Sequence, residues 1–117
     1  MALPEYTPKS YLEALSIERF GGKTYGQEKV ISVLTSRTIL LPNNSNRCGW
    51  EVINEGGNDV RITTDPAVGA ATGWLLAAHG GVIVSTFEED GEVVGYQVYA
   101  IANAVASNVR VREVIRL

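Results

Sequence analysis

From Glu28 onward, apolar residues come in short runs, and each run is stopped by a turn signal before it could complete a helix. Val30, Ile31, Val33 and Leu34 form the first run. Thr38–Leu41 is the second, ended by Pro42, which has no N–H to give a sheet. Asn43–Asn46 is turn chemistry, and Trp50, Val52 and Ile53 follow it. Glu55-Gly56-Gly57-Asn58 predicts a hairpin turn, with two glycines free to take positive φ. Val60 and Ile62 alternate with Arg61 and Thr63, the period of a half-buried strand. After a loop from Asp65 to Gly73 come Trp74–Ala77, a Gly80-Gly81 turn, and Val82, Ile83, Val84 and Phe87. Glu88–Glu92 reads as an acidic loop, and Tyr96–Ile101 alternates again. Val109, Val111 and Ile115 then alternate with Arg110, Arg112 and Arg116. That is about eight short strands, with turn signals every ~8–12 residues. The expectation is an all-β fold: an antiparallel β-sandwich, jelly-roll-like, over residues 28–117. No helical segment alternates with the strands, which argues against a parallel βαβ sheet.

Residues 1–27 read differently, as an N-terminal arm. Pro4 and Pro8 come early, and Gly21, Gly22 and Gly26 come late. Between them, Ser10 and Glu13 have capping-box spacing, which predicts a short helix ending near Gly21. Its apolar residues do not fall on one helical stripe, so the segment packs on more than one side or is not a helix. At ~3.3 Å per residue the extended arm reaches ~85 Å, against a radius of gyration of about 13 Å for a domain this size. It is long enough to lie on neighbouring subunits, with Leu3, Tyr6, Tyr11, Leu12, Leu15, Ile17, Phe20 and Tyr25 as apolar anchors.

Composition narrows the chemistry. The net charge is −3, without the basic excess usual in a duplex nucleic-acid binder. With one cysteine, Cys48, and one histidine, His79, neither an intramolecular disulfide nor a Cys/His metal cluster can form. No apolar run reaches ~18 residues, and Met1–Glu5 has neither the basic nor the apolar part of a signal peptide. The expectation is a soluble chain of a reducing compartment, with no nucleic-acid or membrane partner and no cofactor or metal. His79 precedes a glycine turn and belongs to no nucleophile motif. Glu88, Glu89, Asp90 and Glu92 lack EF-hand spacing and read as a solvated turn. No acid–base constellation appears, so the chain reads as non-enzymatic.

Two features stand out beyond this. Trp50 and Trp74 could stack on a sugar, but each sits among aliphatic residues and is expected to pack in the core. Arg110, Arg112 and Arg116 line one face of the last strand, where an intersubunit ion-pair row could meet Glu88, Glu89 and Asp90.

The segment Leu41–Ile62 combines a Leu-Pro-x-Asn start, Arg47, an apolar strand ending in Asn54, a Gly turn and Val60-x-Ile62. It resembles small virion proteins of tailed bacteriophages, of the capsid decoration or head/tail accessory type. The resemblance extends over residues 38–102, with Leu75-Leu76, Gly80-Gly81 and Glu89-Asp90-Gly91 fitting the same layout. Cys48-Gly49-Trp50 departs from its more aliphatic strand. It implies a structural protein of the virion, assembled in the host cytoplasm and attached to the major capsid protein or other virion proteins. A homo-oligomer joined through the arm is expected, with a trimer as one symmetric solution. The alternative is a carbohydrate-binding β-sandwich for host adsorption, using Trp50 and Trp74.

Overall fold

The computed structural model describes residues 24–66 and 72–116. Eight strands run β1 Thr24–Val33, β2 Thr38–Leu41, β3 Arg47–Asn54, β4 Val60–Thr63, β5 Trp74–Leu76, β6 Val82–Thr86, β7 Val98–Ala102 and β8 Ser107–Arg116. A one-turn helix, α1 (Phe87–Asp90), and a 3-10 segment, Gly91–Gly95, sit between β6 and β7.

The strands form two four-stranded sheets, ordered β1-β8-β3-β6 (sheet I) and β2-β7-β4-β5 (sheet II). Every pairing is antiparallel. First pairs with last (β1–β8), then β2–β7, β3–β6 and β4–β5, as in one long hairpin folded over on itself. Pairs β3–β8 and β4–β7 close the roll. The fold is therefore the all-β sandwich of jelly-roll type that the alternating runs predict.

Alternation builds the core. In β8, Val109, Val111 and Ile115 point inward while Asn108, Arg110, Arg112 and Arg116 point out. Val52, Val60, Ile62, Val98 and Ala100 meet them from the other strands, all buried. Two β-bulges alter the parity. In β2 the register slips between Ile39 and Leu41, and both Leu40 and Leu41 become buried. In β3 it slips between Arg47 and Gly49, so Arg47 faces the core together with Trp50, Val52 and Asn54.

Four expectations need correction. β1 begins at Thr24, so the folded body starts ahead of Glu28, and Tyr25 is a β1 residue paired with Ile115 rather than part of an arm. The other arm anchors, Leu3 to Phe20, and the expected helix lie outside the described residues. Glu55–Asn58 is not a hairpin turn, because β3 and β4 belong to different sheets. Its glycines are not at positive φ either; among the described glycines that conformation belongs to Gly73, Gly80 and Gly91. Gly56 is there for space: a Cβ would come within 1.9 Å of the Ser107 hydroxyl. Finally, Glu88–Asp90 is helical rather than a loop. Thr86 caps it, its hydroxyl accepting from the Glu89 backbone N–H, and the acidic residues fill the first turn, where a helix favours them.

Candidate interaction surface

Most of the charged side chains that the sequence singles out are committed within the chain. The Arg47 guanidinium is buried and donates to Glu113 Oε2 at 2.8 Å, to Tyr96 O at 3.1 Å and to Pro42 O at 2.6 Å. Glu113 also accepts from the Gln27 amide. Two charges thus meet on the core face of sheet I and tie the β2–β3 and β6–β7 connections to β8. The sequence marks Arg47 only as part of a motif and gives no sign of Glu113, because a bulge and 66 residues of separation hide the pair.

Asn54 closes the opposite end of β3. Its amide donates to Asn58 O at 2.7 Å and Leu76 O at 3.1 Å, and its carbonyl accepts from the Gly56 N–H and the Ser107 hydroxyl. All four hydrogen-bonding positions of this fully buried side chain are filled. The crossings on either side are knitted together by Asn54 N to Gly81 O, Gly80 N to Asn54 O and His79 N to Gly56 O. His79 has φ of 61° and is, as expected, a turn residue.

On the outer face of sheet I, Arg110 pairs with Glu28 and Glu55, and Arg112 with Glu28 and Glu51. Arg116 donates to Asn46 Oδ1. Within the chain, the partners of Arg110 and Arg112 are thus carboxylates of adjacent strands and of the β3–β4 connection. Asp90 accepts from the Ser85 hydroxyl at 2.6 Å. Beside this ladder, Gly26 and Gly49 lower the floor of a groove of about 390 Å³ that also touches Val84, Thr86 and Val114. Burial pushes the Cys48 thiol above its ordinary range, partly opposed by Arg116. Among the described residues, no group of three or more His, Cys, Asp or Glu side chains could hold a metal ion.

The two tryptophans part company. Trp50 is a core residue, 6% exposed, as expected. Trp74 is not: it is 61% exposed, which corrects the expectation of core packing. A sugar platform made from both indole faces therefore cannot form. The position of Trp74 is informative. It pairs with Ile62, as Leu76 pairs with Val60, and Ile62, Val60 and Leu76 are all buried. Residues opposite each other in a pair share a face, so Trp74 stands on the core side of sheet II. It stays exposed because no described strand lies beyond β5 there. β6 is the last described strand of sheet I on the same side, joined to β5 by a short connection; its exposed Val82 and Val84 pair with Ile53 and Glu51 on the outer face, while its core-side Ile83 packs against the core and Ser85 is buried. The opposite side, β1 and β2, differs: its core-side residues Val33, Leu40 and Leu41 are buried and Ile31 packs against them. Among the described residues, the β5–β6 side is left open at Trp74.

No family model matches the chain. No curated protein matches it in sequence. Among solved structures it is similar to a chain from Bacillus endospore appendages, described as a family of disulfide-linked pili, at 10% identity and a TM-score of 0.47, over 80% of this chain and 88% of that one. A likeness of that size carries nothing about function.

Proposed function

We propose that this chain is a non-enzymatic structural subunit, a jelly-roll that associates with copies of itself and attaches to a phage capsid, or to its head–tail accessories, to stabilise the particle. The observation that carries the subunit reading is the β5–β6 side, where core-side Trp74 on β5 and outward-facing Val82 and Val84 on the β6 edge meet solvent. Exposed apolar side chains along a sheet edge that no described strand covers suit an added partner strand. The charged groups support it from the other direction: Arg47–Glu113, Arg110–Glu28–Glu55 and Ser85–Asp90 are partnered within the chain, the first of them buried. The virion setting rests on the resemblance of residues 38–102 to tailed-phage virion proteins. Its test is to strip the protein from purified particles, add back the full chain and count bound copies. Many copies per particle are expected. A chain that never sediments with particles contradicts the virion setting.

A further inference from the structure

We propose that the β5–β6 side of one copy is the receptor for residues 12–20 of a second copy, bound as an added strand along the edge of β6 that no described strand covers. The proposal rests on the self-association reading above and names the site that would carry it.

The β6 edge is undefended. Sheet edges are commonly protected by charged side chains, proline or a bulge. Val82–Thr86 has no charge and no proline, and its register with β3 is unbroken from Gly49 to Ile53. β1, the other edge of sheet I, carries Glu28 and Lys29. A strand added beside β6 would show alternate side chains to two environments. On the outer face it would meet exposed Val82 and Val84. On the core face it would meet Ile83, on the side of the sandwich where Trp74 is uncovered. The added strand therefore needs apolar residues on both faces. Read with period two, Leu12–Phe20 has them: Leu12, Ala14 and Phe20 on one, Leu15 and Ile17 on the other. This also accounts for apolar residues that fit no single helical stripe.

Distance makes the donor a second copy. Sheet I is ordered β1-β8-β3-β6, so a strand beyond β6 lies four spacings from β1, about 19 Å at ~4.8 Å each. From Phe20 to Thr24 the chain spans at most about 14 Å. A copy cannot lay residues 12–20 along its own β6 edge.

The test is sedimentation of the full chain, with circular dichroism confirming that each variant folds. Val84→Lys spoils the edge from an exposed position, and Leu15→Asp with Ile17→Asp spoils the arm. Each is expected to weaken association by at least about tenfold, the usual effect of losing an interface anchor. Val30→Lys, on exposed β1, should not. Mixing the edge variant with the arm variant should restore a one-to-one pair, since one keeps its arm and the other its edge. If the edge variant fails to associate while the arm variant behaves as wild type, the occupant is another edge strand and the proposal is overturned. If wild type associates and both variants do so equally well, the site is elsewhere and only the self-association reading stands. A wild-type chain that stays monomeric overturns both.

Discussion

Replacing Arg47 with methionine removes one side chain but strands another. The methionine fills much of the same volume and leaves the Glu113 carboxylate, whose side chain is 8% exposed, without its cation. Pro42 lies at the surface, so water can replace the hydrogen bond lost by its carbonyl. The Val94 and Tyr96 carbonyls lose a weaker donor, at 3.4 and 3.1 Å. The uncompensated buried charge outweighs these losses, and breaking such a pair from one side costs about 3–5 kcal/mol. Marginal native stability is ~5–15 kcal/mol, so this is a large fraction of it. The melting temperature should fall by roughly 10–20 °C for a domain this size. Adding Glu113→Leu removes the stranded charge and should bring stability back to within about 1–2 kcal/mol of wild type. Urea unfolding of the wild type, both single variants and the double variant closes the cycle. If Arg47→Met lies within about 1 kcal/mol of wild type, or the double variant is as unstable as the two single losses summed, the pair does not hold the fold as described.

Other outcomes follow from the same geometry. Asn54→Ala leaves buried partners unsatisfied and should cost roughly 2–4 kcal/mol by urea unfolding. Trp50→Ala should cost roughly 3–5 kcal/mol, whereas exposed Trp74→Ala should cost under about 1 kcal/mol when measured on dilute protein. Arg112→Ala should change stability by less than about 1 kcal/mol, because its pairs are solvated. The Cys48 thiol, raised chiefly by burial, holds less thiolate at pH 8 than a free cysteine. Its alkylation rate should therefore be slower than a model thiol's at pH 8 and should keep climbing past pH 9.

The strands are legible because their signals are local. Val60–Thr63 and Val109–Ile115 alternate with period two, and proline or glycine marks most ends. The sheets are less legible, because the crossings at Glu55–Asn58 and Gly80-Gly81 look like hairpin turns locally and become crossings only through distant pairings. The α1 turn does leave a signal: Thr86 and Glu89 have capping-box spacing, obscured by the acidic run. Trp74 reads as a core residue because its neighbours are apolar, and nothing local reveals that β5 is an edge. The Arg47–Glu113 pair needs both a bulge and a long-range register, neither of which sequence periodicity carries.

The central claim is that the chain is built to associate with itself. Sedimentation velocity of the untagged full chain, from low micromolar to several hundred micromolar, tests it most directly. The account predicts a concentration-dependent shift from the 12.6 kDa monomer to larger species. A single monomeric boundary across the whole range would contradict it.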